Sequence, residues 1–202
     1  MTTRAVLVDI GGVLEITPSL GVTERWETTL GLRPGELDER AAGAWAAGAV
    51  GEITLDEVHA GLAALLSLPP ERVTALMADM WVEYLGSPNE ELIEYVRALR
   101  SRCRTGIISN SFVGAREREQ ERYGFADLTD VLVYSHEVGL SKPDPRIYQL
   151  ACDRLGVPPE HALFLDDVPA AVDGARAVGM HGVLFTTNAQ AVAEIEQWLR
   201  ES

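Results

Sequence analysis

A chain of 202 residues, 47% hydrophobic and 24% charged, can bury one good-sized core, or a core domain with a smaller one inserted in it. Its 31 acidic residues against 17 Lys and Arg give a formal net charge of −14, which argues against a nucleic acid or an anionic membrane as partner. No apolar run is long enough to span a bilayer and the first residues carry no signal-peptide core, so a cytoplasmic protein is expected.

The first predicted element is Ala5–Val8, a short apolar run that delivers Asp9 and is followed by Ile10-Gly11-Gly12-Val13-Leu14. Such a run reads as a buried parallel strand, and open α/β sheets bind ligands at the carboxyl edge where Asp9 falls. From Glu15 to about Gly86 there is no convincing strand, only helical stretches rich in Ala, Leu and Glu. Two capping boxes are expected, at Thr54–Glu57 and at Ser87–Glu90, the second with Pro88 at the first helical position. Beyond it, Leu92, Ile93, Val96 and Leu99 recur at helical spacing.

Four more strands are expected at Thr105–Ser109, Val131–Ser135, Ala162–Leu165 and Gly182–Thr186. Helical patterns accompany them at 114–123, 145–155, 169–178 and 189–200. Alternation of this kind implies βαβ units, hence an α/β fold with a Rossmann-like parallel sheet flanked by helices. The reading therefore divides the chain into a core, residues 1–14 and 87–202, and an all-helical cap, residues 15–86, lying over the sheet's carboxyl edge. Cys103 and Cys152 show no metal-ligand spacing and read as buried free thiols within helical patterns.

Four polar groups come to one edge in this scheme: Asp9, then Ser109-Asn110-Ser111, then Lys142 in Gly139–Pro145, then Asp166-Asp167. Each has an ordinary alternative. Asp9 and Ser109-Asn110 suit turns or caps, Lys142 suits a solvated loop, and Asp166-Asp167 suits a helix N-cap. Two adjacent carboxylates repel, however, and call for a cation, which Lys142 or a metal supplies. Together the four form a kit for an anionic substrate with a divalent metal.

In order and spacing, these segments resemble the haloacid dehalogenase-like hydrolase superfamily with a cap inserted after the first strand. Asp9-Ile10-Gly11-Gly12-Val13, Ile107-Ile108-Ser109-Asn110, Lys142-Pro143 and Phe164-Leu165-Asp166-Asp167 carry the resemblance. Residues 138–148 are similar to its small sugar-phosphate phosphatases and to epoxide-hydrolase N-domains. The resemblance implies a small phosphorylated metabolite as substrate and Asp9 as nucleophile, forming an aspartyl-phosphate. It implies Mg²⁺ held by Asp9, the Gly11 carbonyl and Asp167, with Asp166 orienting Lys142 or a metal-bound water. It also implies that Lys142, Ser109 and backbone N–H groups near Asn110 hold the phosphoryl oxygens.

Two positions depart from that pattern. Gly11 stands where phosphatases of the superfamily usually carry a second Asp as general acid, a group worth about 10²–10⁴-fold. An enzyme without it is expected to favour good leaving groups, unless Glu15 or another polar cap residue substitutes. Ala171 stands where related sequences often carry Asn. A metal-independent 2-haloacid dehalogenase, whose halide leaves without a proton, is one alternative, and a catalytically weakened ligand-binding protein is another. Trp26, Trp45, Trp81 and Tyr84 suit either a pocket or the cap's own core, with core the better reading. His59, His136, His161 and His181 carry no metal pattern and receive no role, and no feature sets the oligomeric state.

Overall fold

The computed structural model describes residues 3–201. Met1, Thr2 and Ser202, the outermost residues of the predicted core segments, lie outside them. The chain runs through β1 (Ala5–Val8) and β2 (Glu15–Ile16) into four helices, α1 (Val22–Leu30), α2 (Glu36–Ala49), α3 (Leu55–Leu66) and α4 (Pro70–Leu85). It continues with β3 (Ser87–Pro88), α5 (Glu90–Leu99), β4 (Arg104–Ser109), α6 (Ala115–Tyr123), β5 (Val131–Tyr134), α7 (Ser135–Val138) and α8 (Pro145–Leu155). Last come β6 (Ala162–Asp166), α9 (Pro169–Ala177), β7 (His181–Leu184) and α10 (Asn188–Arg200).

Five strands form one parallel sheet in the order β5-β4-β1-β6-β7, with Val8 opposite Ile107 on one side and Leu165 on the other. The central strand is apolar throughout because both its faces are covered. Val6 and Val8 pack with Leu92, Val96, Leu99 and Ile195 of α5 and α10. Ala5 and Leu7 face the other way, onto Ile147, Ala151 and Ala175 of α8 and α9.

Helices α1 to α4 bury a third cluster that includes Leu37, Val58, Leu62, Val73 and Leu76. The chain enters and leaves these helices through a two-stranded antiparallel ribbon, β2 on β3, pairing Glu15 with Pro88 and Ile16 with Ser87. The C-terminal end of α2 docks on the sheet's loops. The Gly48 carbonyl accepts Val113 N–H at 3.2 Å, and the Ala49 carbonyl accepts the Ser135 hydroxyl at 2.7 Å. Gly48 allows this approach, since a Cβ there would lie 2.4 Å from the Phe112 ring.

Three local expectations are corrected. The box at Thr54–Glu57 forms in full, but the one at Ser87–Glu90 does not. Ser87 and Pro88 are taken by the ribbon, and Asn89 precedes the helix while its Nδ2 holds the Val13 carbonyl at 2.9 Å. That ribbon also places a strand at Glu15–Ile16, inside the stretch expected to be helical; two residues give no periodicity to read. Cys103 lies in the turn after α5 and is half-buried, whereas Cys152 is buried within α8. Among the described residues, no helix is long and apolar enough to cross a membrane.

Candidate active site

The β ladder runs one residue past β1, where Asp9 N–H donates to the Leu165 carbonyl at 2.9 Å. Its carboxylate thus emerges at the centre of the sheet's carboxyl edge, between the ends of β4 and β6. Lys142, in the loop between α7 and α8, brings Nζ to 2.7 Å from Asp9 Oδ1 and 2.6 Å from Asp166 Oδ2. Asp9 and Lys142 are 7% exposed and Asp166 is fully buried. Any one of these charges alone would be costly to remove from water, so each depends on the other two. Burial raises the Asp9 pKa to about 7, against the pull of Lys142 and with a further push from Asp166.

Asp166 is fully engaged. Its Oδ2 accepts from Lys142, while Oδ1 accepts the Val168 N–H at 2.7 Å at the start of α9. The N-cap expected of Asp166-Asp167 is Val168 instead, and Asp166 holds the N–H of that capping residue. Asp167 instead reaches solvent, and burial followed by the Asp166 charge raises its pKa. Its carboxylate lies against Gly12, whose φ is 74°; a Cβ there would sit 2.1 Å from Oδ2. One oxygen from each of Asp9, Asp166 and Asp167 lies within 4.8 Å of the others. Three carboxylates against one ammonium form an all-oxygen cradle with excess negative charge, which fits a hard divalent cation.

Ser109 ends β4, is 2% exposed, and lines a cavity together with Ile10 and Gly11, the residues that follow Asp9. The Asn110 side chain is engaged with the Lys142 backbone. Its Nδ2 donates to the Lys142 carbonyl at 2.9 Å and its Oδ1 accepts the Lys142 N–H at 2.7 Å. The side chain fixes the lysine loop, leaving only backbone near Asn110 for a substrate. Gly11 also lines the cavity, and Ala171 is buried with its carbonyl accepting the Tyr148 hydroxyl at 2.7 Å.

The cavity, about 570 Å³, lies between the sheet edge and the helices. Trp45, Trp81 and Tyr84 line it while also packing on the helical cluster, so both sequence readings of them hold. Trp26 belongs to that cluster alone and its Nε1 donates to Asp79 at 2.9 Å. Glu15 lines the cavity at 1% exposure, and burial, with Glu119 and Asp9 nearby, pushes its pKa up to about 9. Burial also pushes Glu119, which accepts the Tyr134 hydroxyl at 2.6 Å, up to about 7.

Neither Phe112 nor His136 receives a role from the sequence. Phe112 completes the aromatic wall, and the Ser111 hydroxyl lies 2.6 Å from His136 Nδ1 at the cavity's edge. Residues 25 apart reveal such a pair only once the sheet is assembled.

Comparison with known proteins agrees with this architecture. A family model described as haloacid dehalogenase-like hydrolase matches residues 3–179. Acyl-CoA dehydrogenase family member 10 of Mus musculus is 28% identical over 97% of this chain, which spans only 19% of that protein's length. Phosphatase MT3486 of Mycobacterium tuberculosis (strain CDC 1551 / Oshkosh) is 30% identical over 94% of this chain and 90% of its own. A HAD family enzyme from Bacteroides thetaiotaomicron, solved in complex with magnesium and inorganic phosphate, superposes with a TM-score of 0.78. That match has 18% identity and covers 92% of this chain and 96% of the other.

Proposed function

The chain belongs to the haloacid dehalogenase-like hydrolase family, and from that premise we propose a phosphomonoester hydrolase that works on a small phosphorylated metabolite through an aspartyl-phosphate at Asp9. The observation that carries this reading is Lys142 Nζ bridging Asp9 and Asp166, with Asp167 within reach of the same point. Similarity to a phosphatase at 30% identity supports it.

In the first step the Asp9 carboxylate attacks phosphorus, forming a C–O–P bond as the ester P–O bond breaks. The leaving oxygen takes its proton from water, because Gly11 has no acid to offer. Water then attacks the phosphoryl group, releasing inorganic phosphate and restoring the carboxylate. Lys142, positioned by Asp166, neutralises the phosphoryl oxygens, which the Ser109 hydroxyl and backbone N–H groups near Asn110 also bind. Asp9, the Gly11 carbonyl and Asp167 are the residues that would hold Mg²⁺, which when bound supplies further charge neutralisation at the phosphoryl group.

Residues 15–86 act as the cap in this reading, with the β2–β3 ribbon as their point of attachment. Two free thiols support a reducing, cytoplasmic setting. The test is release of phosphate from p-nitrophenyl phosphate with Mg²⁺, alongside halide release from 2-haloacids in EDTA. Asp9→Asn is expected to lose at least ~10³-fold of the phosphate release while keeping its circular dichroism spectrum. Unchanged turnover in that variant refutes the nucleophile, and halide release alone assigns the chain to dehalogenation.

A further inference from the structure

The cavity that begins at Ile10 and Gly11, the two residues after Asp9, has an uneven chemistry. Its acidic lining residues among those described are Asp38, Glu83 and Glu15, the last keeping its proton up to about pH 9, with no Lys, Arg or His. Three cations lie nearby: Lys142 is committed to Asp9 and Asp166, Arg118 to the Gly114 carbonyl, with its guanidinium carbon 4.2 Å from the Trp81 ring centroid, and Arg122, whose charge acts on Glu15, to the Gly86 carbonyl at 3.4 Å. Glu83 Oε2 accepts the N–H groups of Leu20 at 2.8 Å and Val22 at 3.2 Å.

The wall opposite is aromatic. Trp45 and Trp81 each meet Phe112 edge-on, at 5.8 and 6.2 Å between ring centroids, and Tyr84 meets Trp81 at 5.2 Å. Within this lining Glu15 Oε1 is buried with no hydrogen-bond partner, as are the Nε1 atoms of Trp45 and Trp81. A buried polar atom without a partner is an uncommon feature of a native fold, and one that a ligand can satisfy.

We propose that this cavity receives an amine-bearing leaving group, so that the substrate is the phosphate monoester of a cationic alcohol rather than one carrying a second phosphate or a carboxylate. The inference rests on the phosphatase reading. Aromatic faces and carboxylates attract an ammonium group, while a second anion would enter a lining with no cation to meet it. Lys142 selects for the one phosphoryl group being transferred, and the helices select the charge of the alcohol.

Binding and turnover separate this inference from the reading beneath it. Calorimetry of the full chain with Mg²⁺ is run on phenylphosphonate and on its 4-aminomethyl and 4-carboxy derivatives, which bind but do not hydrolyse. The 4-aminomethyl compound is expected to bind about tenfold more tightly than the parent, and the 4-carboxy compound about tenfold more weakly. In Asp38→Asn the ratio between the two charged compounds is expected to shrink. Equal affinities, or the reverse order, overturn the proposal. The three corresponding aryl phosphates are assayed in parallel for phosphate release. If none is hydrolysed, the phosphatase reading falls and this substrate assignment falls with it. If all are hydrolysed with no preference for the amine, the phosphatase reading stands and the cation preference is refuted.

Discussion

Asn110 and Lys142 exchange two hydrogen bonds, Nδ2 to the Lys142 carbonyl at 2.9 Å and Lys142 N–H to Oδ1 at 2.7 Å. The amide side chain thereby acts as a splint between the end of β4 and the lysine loop. Lys142 meets Asp9 because Asn110 holds the backbone beneath it.

Asn110 is thus a positioning residue, and its removal should be felt through Lys142. Losing two such bonds costs about 1–3 kcal/mol, so Asn110→Ala is expected to lower kcat/KM by about tenfold to a hundredfold. A role in placing the ammonium predicts a fall mainly in kcat; a fall in KM affinity alone would return Asn110 to direct substrate binding.

Gly11 is the second lever. A Cβ added there meets nothing within 4 Å, and its φ lies outside the left-handed region, so a side chain is admissible. In the native chain, turnover should climb as the pKa of the leaving alcohol falls. Gly11→Asp is expected to raise kcat on an alkyl phosphate by about 10²-fold or more, with a smaller effect on p-nitrophenyl phosphate. If both substrates respond alike, the missing acid is not what limits the native enzyme.

The acidic cradle predicts a metal requirement. EDTA should abolish phosphate release, and added Mg²⁺ should restore it. In Asp167→Asn the Mg²⁺ concentration at half-maximal rate is expected to rise by at least about tenfold, since even outer-shell partners of a metal have effects of that size. An unaltered Mg²⁺ titration would remove Asp167 from the ligand set.

Glu15 makes stability depend on pH. Its pKa rises from an ordinary 4.5 to about 9 in the folded protein, first through burial. Between those values the folded chain keeps a proton that the unfolded chain releases, so this group's contribution to stability falls as pH rises. Below 4.5 both states are protonated and the contribution is level. Glu15→Gln should therefore melt progressively higher than the native chain as pH increases from about 5 to 9, by about 2–4 °C for each kcal/mol relieved. Thermal melts with a constant difference across that range would show that Glu15 is ionised in the folded state.

Much of the core was written locally. The apolar runs ending at Val8, Ser109 and Leu165 are unambiguous because a strand covered on both faces needs no polar alternation, and the helices between them have full caps or periodic apolar faces. The acids and the lysine were legible because strand ends in such a sheet converge on one edge. The ribbon at Glu15–Ile16 and Ser87–Pro88 was not, because two residues carry no period and their pairing spans some seventy residues of helix.

The sequence by itself determined that Asp9 would stand at the end of a buried strand and that Gly11, two residues on, would offer no side chain. Those facts depend only on residue type and local spacing. Tertiary structure decided what Asn110 holds, that Asp166 spends both oxygens inward while Asp167 faces out, and that the cavity gathers aromatic rings and carboxylates with no cation among its described lining residues. Each of these is a matter of which atoms meet across distant segments, and a side chain's partners are fixed only when packing leaves it a single place to go.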